Sequence, residues 1–200
     1  LIDPKLGVDY FAFEGLPHLG EGIIDDQAVA IRRLGDLVGE MDRRYTVLRE
    51  NRCANIFELK RKTNPTERLP FMWIIHDEFA EWMMTDNYRD TVANIVSRLG
   101  VKARAAGMFL VFAAQRPDSN VMPLQLRSNL GNRLILRVDS EGTSEIALGE
   151  RGAERLLGKG HLVAKLEGNP NLVYGQVPLI SSEEIAQLVA EVRRTLKQPA

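Results

Sequence analysis

The sequence is poor in the residues that build covalent or metal-held scaffolds. One of its 200 residues is cysteine, Cys53, which excludes an internal disulfide framework and any zinc cluster made of cysteines. A lone thiol suits a reducing compartment, so a soluble cytoplasmic protein is expected. Three histidines, His18, His76 and His161, are too few and too scattered for a His-rich metal site. No run of about 18 apolar residues occurs, which excludes a membrane-spanning helix. Leu1-Ile2-Asp3-Pro4-Lys5 has none of the charged-then-apolar pattern of a secretory leader. The formal net charge is only −1, which argues against a protein that coats nucleic acid by bulk electrostatics.

What is present supports a buried core. Hydrophobic residues make up 44% of the chain and charged residues 26%, the balance of an ordinary globular domain. The charge is unevenly placed. From Arg98 to Arg137 seven basic residues (Arg98, Lys102, Arg104, Arg116, Arg127, Arg133 and Arg137) face one acid, Asp118. Such asymmetry fits a localised contact with phosphate or another anion, and it also fits arginines solvated on helix faces.

Hydrophobic spacing sets out the elements. Val29, Leu34, Leu37, Val38, Met41, Tyr45 and Leu48 recur at three- and four-residue steps, predicting a long helix capped by Asp25 or Asp26. The polar stretch Lys60–Arg68, broken by Pro65, reads as an exposed loop. Phe71–Ile75 and Met108–Ala114 are short unbroken apolar runs, the pattern of strands buried on both faces of a parallel sheet. Between them a helix is expected from about Tyr88 to Ala106, stopped by Gly107. A short helix over Pro123–Leu130 and a strand over Arg133–Val138 follow. Next come a helix near Thr143–Leu148 and strands near His161–Leu166 and Leu172–Val177. A closing helix over Ser181–Lys197 opens on the capping-box-like Ser181-Ser182-Glu183-Glu184. Alternating strands and helices predict an α/β layered fold with a largely parallel sheet, whose ligands bind at the carboxyl ends of the strands.

Those ends carry chemistry. The first run delivers Asp77-Glu78, the Walker B arrangement, in which the Asp holds hydrated Mg²⁺ and the Glu activates water. The same letters also arise where a strand runs into a helix N-terminus, which favours acids. The second run ends in Gln115-Arg116. A carboxamide there offers donor and acceptor together, as a γ-phosphate sensor needs. A polar residue where a strand leaves the core is the commoner explanation for one such end, but two complementary ends joined by one helix are less expected by chance.

Met72-Trp-Ile-Ile-His-Asp-Glu-Phe-Ala-Glu-Trp-Met-Met84 resembles the Walker B segment of FtsK/SpoIIIE-type DNA translocases. Lys102-Ala-Arg-Ala-Ala-Gly107, running on through Phe109–Pro117, is similar to the same family. So are Leu1–Lys5, Glu14–Leu19, Glu40–Tyr45 and the glycine-containing Gly152–Gly160, in collinear order along nearly the whole chain. The resemblance implies a RecA-like P-loop ATPase core that assembles as a ring, usually a hexamer, and pumps double-stranded DNA with ATP and Mg²⁺. Carried over by position, Asp77 is the Mg²⁺-linked acid, acting through water, and Glu78 activates the attacking water. Gln115 becomes the γ-phosphate sensor. Arg104 becomes the finger that reaches a neighbouring subunit's nucleotide, with Arg133 as the substitute. Arg116 and Arg127 fall where the family presents a basic pore loop to DNA. For Arg116, salt bridging competes with that role.

The sequence departs from the family in lacking Gly-x-x-x-x-Gly-Lys-Ser/Thr, the Walker A loop that grips the β- and γ-phosphates. The expectation is therefore that residues 1–200 form the carboxyl-terminal portion of a single RecA-like motor domain, inactive alone. Any anchor at the inner membrane would lie in other parts of the protein. His76 stands where an apolar residue is usual and is read as a packed, hydrogen-bonded imidazole. The leading reading is a DNA translocase for chromosome segregation or conjugative transfer. The alternatives are a related ring ATPase energising protein secretion and a non-hydrolysing assembly module.

Overall fold

Aliphatic side chains at three- and four-residue steps produce the longest element. In the computed structural model, which describes residues 1–62, 69–117 and 124–197, α1 spans Gln27–Glu50. Asp26, rather than Asp25, caps it, its carboxylate accepting the Val29 N–H at 2.9 Å. The face bearing Ala30, Leu34, Val38 and Met41 is buried and packs along α4, Asp86–Lys102, whose Tyr88, Val92, Val96 and Leu99 are equally buried. Arg44 lies among these apolar residues at 1% exposure. Its guanidinium donates from Nε to Glu40 at 2.7 Å and from Nη1 to the backbone oxygens of Pro70 and Ala106 at 2.8 and 3.0 Å. A buried charge so satisfied clamps the chain where two strands begin.

The polar Lys60–Arg68 stretch is helical at its start. Helix α2 spans Ile56–Lys62, because Ile56 and Leu59 are buried and Glu58 pairs with Lys62 at 2.9 Å. Positions 63–68 lie outside the described residues.

Strands β1, Met72–His76, and β2, Met108–Phe112, pair in parallel, in register from Met72 with Met108 to His76 with Phe112. The Ile2 backbone extends this ladder on the other side of β1, its N–H donating to Ile75 O at 2.8 Å and its oxygen accepting the Asp77 N–H at 2.9 Å. Ile2 also bridges to Ile24 in parallel. Between β1 and α4 lies α3, Phe79–Met83. Gly107 makes the turn into β2 at φ 76°, where a Cβ would stand 2.9 Å from Ile56 Cγ1. Glycine is required there on both counts. Helix α5, Leu124–Asn129, docks on α4 through Asn129, which donates to Ser97 Oγ at 3.0 Å.

The chain separates into two compact units, one of Leu1–Pro4 with Ile24–Leu130 and the other of Lys5–Ile23 with Gly131–Ala200. The parallel ladder belongs to the first. In the second, β3, Arg133–Leu136, pairs antiparallel with β4, His161–Lys165, which pairs antiparallel with β5, Val173–Gln176. The later strands thus form their own antiparallel sheet, with no helical crossover between β4 and β5 to permit parallel pairing. Ile135, Ala147, Leu148, Ala153, Leu156 and Val163 make its core. Helix α6, Glu141–Ala147, is capped by Ser140, which accepts the Thr143 N–H at 3.1 Å. The Gly152–Gly160 segment closes onto β5: a Cβ on Gly160, at φ 88°, would fall 2.4 Å from Val177 O. Helix α7, Ser182–Lys197, starts with the expected reciprocal box. Ser181 N–H donates to Glu184 Oε2 at 2.7 Å and Glu184 N–H to Ser181 Oγ at 3.1 Å.

Candidate functional site

Parallel strands bring their carboxyl ends to one edge, and β1 and β2 end level with each other. The chain leaves β1 through Asp77-Glu78 and leaves β2 through Gln115-Arg116, so all four residues gather at that edge. Two backbone bonds hold the exits together: Ala113 N–H donates to His76 O at 2.9 Å and Phe79 N–H to Ala113 O at 3.0 Å. Glu78 then turns left-handed, at φ 37° and ψ 43°. That conformation costs a residue with a Cβ about 1–2 kcal/mol and persists only where the surroundings hold it. Here it aims the carboxylate at the neighbouring strand's exit. Both Glu78 carboxylate oxygens lie within hydrogen-bond reach of the Gln115 N–H, at 3.2 and 3.4 Å.

Asp77 is half-buried and uses Oδ1 to accept the Glu78 N–H at 2.9 Å. A hydrated Mg²⁺ fits such a residue, since a carboxylate with one oxygen tied to its own backbone is fixed in direction and can face a metal's water with the other. Among the described residues no three of His, Cys, Asp and Glu come together as a metal cage. A cation shared with nucleotide phosphates and held through water needs no such cage.

Beneath the acids lies His76, with no exposed surface. Its ring packs among Phe79, Trp82, Tyr88 and Phe112. Both nitrogens are engaged, Nδ1 with Asp77 O at 3.1 Å and Nε2 with Tyr88 Oη at 2.7 Å. Burial pushes its pKa down to about 4 against the opposing pull of the Asp77 backbone oxygen. Burial likewise raises the Tyr88 phenol well above its usual range. The expected packed imidazole is what the structure contains.

The other expected site residues are placed differently. Arg104 is exposed in the turn between α4 and β2, at the amino-end edge of the sheet. A five-residue strand spans roughly 13 Å, so Arg104 is not brought to Glu78. Arg133 begins β3 and donates to Ala147 O at 3.2 Å. Arg116 is exposed beside Gln115, and Arg127 is half-buried on α5. The segment 118–123 between them lies outside the described residues. The groove along α7, lined by Ile180, Glu184, Gln187, Leu188 and Glu191, offers carboxylates and no cation, the wrong sign for a nucleotide.

Comparison with known proteins decides the ancestry. The FtsK/SpoIIIE family profile matches residues 1–119, over half of the chain and including both strand exits. The chain belongs to the FtsK/SpoIIIE family. Curated relatives of this FtsK/SpoIIIE protein include the DNA translocase FtsK of Campylobacter jejuni, 34% identical over 94% of this chain and 20% of the relative. The DNA translocase FtsK of Clostridium acetobutylicum is 35% identical over 96% of this chain and 25% of its own length. The chain therefore spans about a fifth to a quarter of these relatives. Among solved structures, the pCW3 conjugation coupling protein TcpA with ATPγS superposes with a TM-score of 0.78. It is 27% identical, over 96% of this chain and 55% of TcpA. The cytoplasmic domain of the Thermomonospora curvata type VII secretion ATPase EccC gives 0.72 at 26% identity, covering 94% of this chain and 23% of EccC. The fold of the chain is that of P-loop ATPase motor domains. Among the described residues no helix is long and apolar enough to cross a membrane.

Sequence reasoning missed three features of the site. The left-handed Glu78 has no signature in a single sequence. Tyr88 was read only as the start of the second helix, although an aromatic hydroxyl on an apolar helix face needs a partner and His76 is the polar residue inside the adjoining strand. The burial of Asp3, which has no exposed surface at the end of the Ile2 ladder, was not expected either.

Proposed function

We propose that this chain contributes to a RecA-like ATPase motor domain that works in a ring, usually a hexamer, to move double-stranded DNA in the cytoplasm. The observation that carries the reading is the contact of the Glu78 carboxylate with the Gln115 backbone at the shared carboxyl edge of β1 and β2. That edge is where α/β folds bind ligands. Family membership and the DNA translocase relatives support DNA as the track.

In this reading bound Mg·ATP supplies the transferable γ-phosphoryl group and a divalent charge that offsets its negative oxygens. Asp77 would hold the hydrated cation through its carboxylate. Glu78 accepts a proton from the attacking water on a carboxylate oxygen, and the Gln115 carboxamide senses the γ-phosphate. Arg104, on the opposite edge of its own sheet, serves the nucleotide of a neighbouring subunit. A guanidinium suits this because it stays ionised and offers several donors to developing phosphoryl charge. Arg116 and Arg127 contact the DNA backbone, which carries no sequence information and therefore suits a motor that must slide over any sequence.

Glu78→Gln in the full-length protein tests the catalytic assignment. It should leave ATP bound and lower turnover at least about a hundredfold, within the range for removing a general base. Retained hydrolysis removes Glu78 from the role. The likeness to EccC supports a second reading, a protein-secretion ATPase on the same fold. Indifference of ATP turnover to duplex DNA would favour it.

A further inference from the structure

We propose that His76 is a positioning residue for Glu78, its Nδ1–H held on the Asp77 carbonyl and its Nε2 held by the Tyr88 hydroxyl. This rests on the reading of Glu78 as the group that activates water.

The Asp77 carbonyl and the Glu78 N–H are the two ends of one planar peptide unit. The oxygen end meets His76 Nδ1 at 3.1 Å, and the N–H end donates to Asp77 Oδ1 at 2.9 Å. With both ends held, the plane cannot rotate. Glu78 leaves that plane at φ 37°, and its carboxylate arrives on the Gln115 N–H at 3.2 Å. A turn of the plane must be taken up at ψ of Asp77 and φ of Glu78, so the bonds at its two ends hold Glu78 in the left-handed conformation from which its carboxylate meets Gln115.

The proton's place follows from the partners. A carbonyl oxygen only accepts, so Nδ1 must donate. In the neutral ring Nε2 then holds a lone pair, and Tyr88 Oη, 2.7 Å away, donates to it. The ring packs among Phe79, Trp82, Tyr88 and Phe112, and the residue has no exposed surface. Both nitrogens are committed, which rules out metal ligation and proton shuttling by His76 itself. An apolar side chain, the kind usual at this place in the resemblance, would fill the volume and leave the Asp77 oxygen without this donor. The imidazole therefore adds orientation as well as bulk. Tyr88 sits in the first turn of α4, so the same bond ties that helix to the acidic strand exit.

The test compares the parent protein with His76→Leu, His76→Asn, Tyr88→Phe and Glu78→Gln, all at full length. It measures kcat, equilibrium ATP affinity with Mg²⁺, and the imidazole ¹⁵N resonances of histidine-labelled protein without nucleotide. His76→Leu should lower kcat about tenfold with ATP affinity within about twofold of the parent. His76→Asn, which keeps an N–H near the Nδ1 position, should recover most of the rate. The ¹⁵N resonances should place the proton on Nδ1 in the parent, and Tyr88→Phe should keep it there while moving the Nε2 resonance, which loses its donor. A folded His76→Leu with parental kcat overturns the proposal, as does an Asn variant no better than Leu, or a parent ring protonated on Nε2. If His76→Leu does not fold, the Asn and Phe variants and the tautomer decide. Glu78→Gln separates the two layers: turnover retained there removes the catalytic reading itself, whereas turnover lost there but kept in His76→Leu removes only the positioning role.

Discussion

Glu78 and His76 are neighbours but one in the chain, and burial treats them in opposite ways. Glu78 stays half-exposed at the sheet edge, where a carboxylate can meet water and phosphate. His76 is sealed beneath it and kept neutral. The pKa of His76 falls from 6.5 to about 4, chiefly by burial. An unfolded histidine titrates near 6.5, so between about pH 6.5 and pH 4 the unfolded chain takes up a proton that the folded chain refuses. Stability from this group is therefore full above that window and declines as pH falls through it. Urea denaturation without nucleotide should show about 2 kcal/mol lost between pH 7 and pH 5 from this residue. In His76→Leu that part of the slope should vanish, and an unchanged slope would contradict the neutral buried ring. Asp77, Glu78 and Gln115 were legible in the sequence because an apolar run followed by polar residues states which residues exit a strand. The left-handed turn, the tautomer and the Tyr88 partner were not, since they depend on how α3 and α4 pack under β1.

Helix α1 was readable because its buried residues repeat at helical spacing, and its start was open only between two adjacent aspartates. The same logic fails for Arg44. It occupies a core position with a charge, and only the structure reveals the backbone oxygens of Pro70 and Ala106 that satisfy it. Helix α2 also escaped, because its lysines read as loop while Ile56 and Leu59 anchor it from beneath. Two glycine substitutions test the packing with opposite signs. Gly107→Ala forces a Cβ into the left-handed region and against Ile56, and should cost about 2 kcal/mol or more. Gly39→Ala lies on an exposed turn of α1 with nothing within 4 Å, and should stabilise by about 0.5–1 kcal/mol. Chemical denaturation of the two variants reads both signs directly, and destabilisation by Gly39→Ala would contradict the helix face assigned here.

At the scale of the molecule, the parallel sheet of the first unit was predicted, and the antiparallel sheet of the second was not. Apolar β-branched runs such as Arg133–Val138 do not state the direction of their partner. The parallel sheet also separates the candidate site residues. Asp77, Glu78 and Gln115 lie on one edge and Arg104 lies on the other, which suits the proposed role of Arg104 at the nucleotide of a neighbouring subunit. Mixing Arg104→Ala subunits with wild type should depress turnover more steeply than dilution predicts, because each altered subunit silences a neighbour. Turnover falling in simple proportion to the wild-type fraction would contradict a shared site. The proposed ATP-driven action on DNA is best tested by steady-state ATP turnover of the full-length protein titrated with linear duplex DNA of unrelated sequences. Turnover should rise several-fold to a plateau that is the same for every sequence, with the DNA needed to reach it increasing with salt. Turnover that ignores duplex DNA at every concentration would rule out a DNA motor.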